Sequence, residues 1–238
     1  LDDAQAEAPP ERQVALHAAP TSGAARGGLA AGFLGAGNYA GRVLIPAFKA
    51  AGATLHSVVS SGGVSSVHFG RKFGFVEAAT DENAVLESPQ IDMVVVATRH
   101  DAHARQVLAA LRAGKHVFCE KPLCLTHAEL DAIAAEARAR PDQALMVGFR
   151  RRFAPQVVKM KALLAPIHEP KTLIMTVNAG DIPADHWTQD PAVGGGRIIG
   201  EGCHFIDLLR HLVGHDITGF TAHAIGAHPA IAVREDKA

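Results

Sequence analysis

Two side chains in this 238-residue chain combine a reactive type with a telling position. Lys121 stands between Glu120 and Pro122, just past the strand expected at Lys115–Cys119. An ammonium at the outlet of a strand can hold a substrate hydroxyl and favour the alkoxide that forms as hydride leaves. It can equally polarise a carbonyl in the reverse direction. The bland alternative is a surface lysine paired with Glu120. His204 follows the triple glycine Gly194-Gly195-Gly196, and Glu201, three residues before it, shares its face of a helix. Oxidising an alcohol needs a base for the hydroxyl proton, and imidazole titrates nearest neutral pH. Asp207 is suited to orienting or capping, and Trp187, in the loop before the glycines, can stack on a sugar face. A core or capping histidine is the alternative for His204, and packing the alternative for Trp187.

A third stretch holds a ligand rather than reacting with it. Residues 30 to 41 contain Gly35-x-Gly37-x-x-Ala40, with an apolar segment before and an apolar helical pattern after. That is strand, tight turn, helix. Gly35 takes the backbone angles of the turn, Gly37 leaves room for a pyrophosphate against the backbone, and Ala40 lets helix and strand approach. The helix start, with Asn38 and Tyr39, offers unpaired N–H groups and a partial positive charge to phosphates. The end of the next strand would read the adenosine ribose. No Asp or Glu occurs between Gly41 and Val76, and Ser60 can donate to either cofactor, so NAD and NADP both remain open. Thr98, at the end of the apolar run Ile91 to Ala97, can contact a ribose. An S-adenosylmethionine methyltransferase would use the same glycine turn but leaves Glu120-Lys121-Pro122 without a purpose.

These residues need a sheet to present them. Strands are expected at Leu29–Leu34, Thr54–Ser60, Ile91–Ala97, Lys115–Cys119 and Ala144–Phe149, with helices between. This alternation indicates a doubly wound parallel sheet of the Rossmann type. Thr126 and Glu129 form a capping box, and Gly114 closes the helix Ala102–Ala113. Past residue 150 the pattern changes. A helix at Phe153–Leu164 precedes a strictly alternating run, Lys171–Ala179, which reads as a half-buried antiparallel strand. A helix Arg197–Val213 and a strand at Gly219–Ile225 follow. The domains expected are a linker or disordered tail at 1–28, a dinucleotide-binding domain at 29–150 and a substrate or oligomerisation domain at 151–238.

Composition bounds the rest. The chain is 48% hydrophobic and its formal net charge is −1, so no basic field exists to hold nucleic acid. Its cysteines, Cys119, Cys124 and Cys203, show neither metal-type nor redox-type spacing, and no metal is expected. A cytoplasmic setting without membrane insertion is the default.

Gly35-x-Gly37, the stretch Ala-Gly-Lys-His-Val-Phe-Cys-Glu-Lys-Pro-Leu at 113–123, and the triple glycine followed by His204-Phe-Ile-Asp207 together resemble the Gfo/Idh/MocA family of nicotinamide-dependent sugar and polyol oxidoreductases. The resemblance implies a Rossmann domain followed by an α/β domain with an open antiparallel sheet. It implies hydride transfer between NAD or NADP and a sugar, sugar-nucleotide or polyol carbon, with Lys121 on the reacting oxygen and His204 handling the proton. Glu120, His103 and Lys121 then join the cofactor-binding residues, and Arg152 matches an arginine at the domain junction, expected with Trp187, Glu201 and Asp207 to contact substrate. For His103 the alternative is bracing its helix, and for Arg152 a salt bridge. Two departures stand out. The family often has Asp four residues before the histidine, where this chain has Gly200, and Thr98-Arg99-His100 stands in place of Thr-Pro-Asn. Such variants resemble a subgroup of long two-part proteins in which a zinc-alcohol-dehydrogenase-like half comes first, so a covalent N-terminal partner domain is expected. The family also continues further, with more strands. This implies an incomplete second domain, an open sheet edge for homo-oligomer pairing, and poor activity of the chain by itself. The alternative function is a weakly active or inactive nucleotide-binding module of a larger protein.

Overall fold

The apolar runs become the middle of a seven-stranded sheet. The structure is a computed structural model that describes residues 12–18 and 28–224. In chain order the elements are β1 (Gln13–Ala15), β2 (Ala30–Leu34), α1 (Ile45–Ala50, entered through a π-helical turn at Ala40–Leu44), β3 (Thr54–Val59), α2 (Val64–Phe73), β4 (Glu77–Ala79), α3 (Asn83–Leu86), β5 (Met93–Val96), α4 (His100–Arg112), β6 (His116–Cys119), α5 (His127–Ala139), β7 (Leu145–Val147), α6 (Pro155–Leu164) and α7 (Cys203–Val213). The sheet order is β1-β4-β3-β2-β5-β6-β7. β4, β3, β2 and β5 pair in parallel, and β1 closes the edge antiparallel to β4. The order reverses at β2, the middle strand of the seven, as a doubly wound fold requires.

All five residues of β2 are buried, as are the three valines of β5. This is the reading of strands covered on both faces. Phe33 of β2 meets Phe48 and Phe75 edge-on, with ring centroids 5.6 Å apart in each pair. The capping box of α5 is formed, Thr126 accepting from the Glu129 N–H and Glu129 accepting from the Thr126 N–H.

Among the described residues, those up to Thr98 together with 109–117 and 142–144 form one compact unit. Residues 99–108, 118–141 and 145–224 form a second. The units therefore interleave along the chain.

Three expectations are corrected. Residues 13–15, read as part of a structureless tail, form β1; the Arg12 carbonyl accepts the Thr80 N–H and the Leu16 N–H reaches Val76, each at 2.8 Å. Residues 1–11 and 19–27 of that expected tail lie outside the described residues. The alternating run Lys171–Ala179 forms no strand, and neither do residues 219–224, so the open antiparallel sheet is not formed among the described residues. A strand is held by a neighbour's N–H and C=O groups. Ile174, 91% exposed, and Phe220, 88% exposed, meet no apolar surface among the described residues. No helix of the described residues is long and apolar enough to cross a membrane.

Candidate active site

The glycine turn belongs to the first unit. Gly35 has φ of 100°, and a Cβ there would lie 2.4 Å from the Ala97 carbonyl oxygen. Its glycine is thus demanded twice, by torsion and by the neighbouring strand outlet. Gly37 is different. It is exposed, and a Cβ would meet nothing within 4 Å, so the fold makes no demand for glycine there. A group lying against the backbone would make one. The Gly37 carbonyl accepts the Gly41 N–H at 2.9 Å and starts the helical turn. Asn38 is exposed, Tyr39 half-buried and Ala40 buried. The close approach assigned to Ala40 is sharper one residue on, where a Cβ at Gly41 would sit 2.3 Å from the Phe69 ring. Ser60 follows β3, and its hydroxyl oxygen accepts the Ser66 N–H in the first turn of α2 at 3.1 Å. Thr98 is half-buried at the outlet of β5.

The second unit gathers the reactive groups. β6 ends at Cys119, and Glu120-Lys121-Pro122 turns off it with a cis Lys121–Pro122 bond. The Lys121 ammonium donates to the Gly200 carbonyl at 2.6 Å. Gly200 lies in a π-helical turn, Ile198–Gly202, that opens α7. His204 is one turn on, 3% exposed, with Nδ1 buried and unpartnered. Burial, then the charges of Lys121, Arg151 and Arg150, push its imidazole down from 6.5 to about 4, against the pull of Asp207. The ring is therefore neutral at pH 7. Glu120 is buried, with Oε1 unpartnered, and burial raises its carboxyl despite nearby Arg150 and Lys121. Gly148 makes room for it: a Cβ there would be 2.8 Å from Glu120 Oε1.

Other expected residues make contacts within the protein. His103 is fully buried; its Nδ1–H donates to the Pro122 carbonyl at 2.6 Å and fixes the turn that carries Lys121. Arg152 and Asp207 form an ion pair with each other, with Nε to Oδ2 at 3.1 Å, which ties the turn after β7 to α7. Glu201 pairs with Arg197 at 3.0 Å on its own helical turn. Trp187 packs against His100, ring centroids 4.8 Å apart, with the Arg99 guanidinium 5.7 Å from the indole.

Sequence reasoning passed over His100, Arg150 and Arg151 as site residues. His100 opens α4, is buried, and its Nδ1–H donates to the Gly194 carbonyl at 2.8 Å. Burial holds it down at about 4 as well. The run Arg150-Arg151-Arg152 was a visible signal: three cations beside a strand outlet need a reason. Among the described residues no three His, Cys, Asp or Glu side chains are grouped to hold a metal ion.

Residues 29–149 match the model of the GFO_IDH_MocA oxidoreductase family, described by its NAD-binding Rossmann fold. Inositol 2-dehydrogenase 2 of Saccharopolyspora erythraea is 37% identical over 184 residues, which cover 71% of this chain and 52% of that protein. Myo-inositol 2-dehydrogenase of Thermotoga maritima is 32% identical over 146 residues, covering 61% and 43%. The crystal structure of an oxidoreductase domain protein from Kribbella flavida matches with a TM-score of 0.66 at 27% identity, over 78% of this chain and 52% of that one. The chain spans about half the length of the curated relatives it matches.

Proposed function

Because the chain belongs to the Gfo/Idh/MocA oxidoreductase family, with its NAD-binding Rossmann fold, we propose that it moves hydride between NAD(P) and the hydroxyl or carbonyl carbon of a sugar, sugar-nucleotide or polyol. The observation that carries this is the cluster of the second unit, in which an ammonium, a backbone carbonyl and a neutral buried imidazole converge at Lys121, Gly200 and His204. The matched inositol dehydrogenases support a polyol or cyclic sugar as substrate.

The residues present fit the cofactor. Gly37 is open where its own fold would tolerate a side chain, and the N–H groups at Asn38 and Tyr39 start a helix. The nicotinamide, when bound, supplies or accepts the hydride. Lys121 spends one hydrogen on Gly200 and has two left for the reacting oxygen, where its charge stabilises the alkoxide. His204 takes the hydroxyl proton, and its buried Nδ1 has no competing partner in the described residues. Arg152 and Asp207, paired together, hold α7 in place. Residues 29–150 act as the dinucleotide-binding part and 151–238 as the substrate part. The cysteines Cys119, Cys124 and Cys203 are all free, which supports a reducing, cytoplasmic setting. Self-association and an N-terminal partner domain belong to the same reading.

The rival reading, a nucleotide-binding module with little chemistry, is favoured by Gly200, which offers His204 no carboxylate relay. One experiment separates the two. The protein is titrated with NADH and NADPH by fluorescence, then assayed with NAD(P)+ on a panel of inositols and pyranoses. Binding with turnover that falls at least about 100-fold in Lys121→Ala supports the oxidoreductase. Binding without turnover selects the rival, and failure to bind either nucleotide overturns both.

A further inference from the structure

The loop that leads to the carbonyl receiving Lys121 is held from α4. His100, the first residue of that helix, donates from Nδ1 to the Gly194 carbonyl, and the next N–H, of Asp101, donates to Val193 at 3.1 Å. The two bonds fasten the triple-glycine loop to the start of α4. The His100 ring then lies directly on Gly200. A Cβ built at Gly200 would be 3.1 Å from Cε1 and 3.6 Å from Nδ1, and 3.5 Å from the Gly194 carbonyl oxygen. Trp187 at 4.8 Å and His103 at 5.6 Å, centroid to centroid, enclose the ring. The imidazole is 8% exposed. Everything needed to fix one carbonyl oxygen is present: a latch on the loop before it, a flat ring against its α-carbon, and walls behind that ring.

We propose that His100 is a positioning residue for Lys121, acting through Gly200 as one unit. The ring sets where the Gly200 carbonyl stands, and the carbonyl sets where the ammonium points. Glycine at 200 suits histidine at 100, because a methyl group at 200 would make the ring give by a few tenths of an ångström. The consequence for chemistry rests on the role given to Lys121 under Proposed function; the geometry does not. The electrostatics agree. Burial depresses His100 to about 4, helped by His103 and Lys121 and opposed by Gly194 and Asp101, so the ring stays a neutral Nδ1–H donor at neutral pH.

The test reads the Lys121 amine directly and needs no substrate. The protein is labelled with a trace of acetic anhydride, and the acetylation rate of each lysine is followed by peptide mass spectrometry. Lys115 is the internal reference, because it is held by the Ser88 and Ile91 carbonyls within the other unit. In His100→Ala, Lys121 is expected to label about three- to tenfold faster while Lys115 does not change, as expected for losing the hold on one hydrogen bond. Gly200→Ala, which keeps the histidine but pushes on it, gives the same sign and carries the test where His100→Ala fails to fold. His100→Asn retains a side-chain N–H donor near the position of Nδ1 and returns the rate to within about twofold of the parent. A Lys121 rate unchanged in both His100→Ala and Gly200→Ala overturns the proposal. So does an equal acceleration of Lys115, or a failure of His100→Asn to rescue. Turnover is measured separately. Its absence with labelling as expected would refute the oxidoreductase reading and leave the positioning role intact.

Discussion

At the scale of single residues, the site is governed by one ammonium facing two imidazoles that burial keeps neutral. Lys121 lowers both His100 and His204. The same positive charge makes a bound hydroxyl a stronger acid, which eases loss of its proton, and makes His204 a weaker base, which opposes it. Replacing Lys121 by Met is therefore expected to raise the His204 pKa, seen as a higher titration midpoint of its imidazole carbon protons by NMR, while removing turnover. A His204 midpoint that does not move would mean the two groups are not coupled. Arg152 and Asp207 lead to a different expectation. Each neutralises the other in a half-buried pair, so Asp207→Asn should cost stability rather than recognition. The expected loss is about 1–3 kcal/mol in urea unfolding, with KM for the polyol nearly constant. A large KM change at unaltered stability would return Asp207 to the substrate.

At the scale of elements, the glycine turn separates a structural glycine from a ligand glycine. Gly35→Ala forces a side chain onto a φ of 100° and into the Ala97 carbonyl, and should lower the unfolding free energy by about 2 kcal/mol or more. In Gly37→Val the added Cβ meets nothing within 4 Å. The substitution should leave the melting temperature nearly unchanged and weaken NADH binding at least about tenfold, measured by fluorescence titration. Equal NADH affinity in Gly37→Val would remove the turn from the cofactor site. This contrast also shows what the sequence could reveal. Strand, turn and helix around Gly35 were legible because apolar runs on both sides gave the periods, and the place of Lys121 just past β6 was legible from the strand that precedes it. β1 and β4 were not, since three residues such as Gln-Val-Ala or Glu-Ala-Ala show no period; they exist because β3 offers an edge and β4 another. Lys171–Ala179 had a clear period and still formed no strand, because alternation supplies a face but not a partner. His100 was hidden for a third reason. Its role depends on Gly200, 100 positions further along the chain, and no local pattern links the two.

At the scale of the whole molecule, the buried histidines make stability depend on pH in a definite direction. His100 and His204 titrate near 6.5 in an unfolded chain and at about 4 in the folded one. Between those values the unfolded state binds more protons than the native state, so stability rises with pH through that window. Their contribution is complete above about pH 6.5 and is lost as pH falls toward 4, at most about 3 kcal/mol for each ring. The urea midpoint should therefore drop on going from pH 7.5 to 5, before most carboxylates titrate. A His100→Gln/His204→Gln double variant, whose side chains stay uncharged, should show a flatter profile over the same range, even though it is less stable at pH 7.5. Parallel profiles for the parent and the double variant would mean that neither imidazole is held neutral by the fold. That result would also undermine the chemistry, since a histidine that protonates freely beside Lys121 is already carrying a proton when the substrate hydroxyl must give one up.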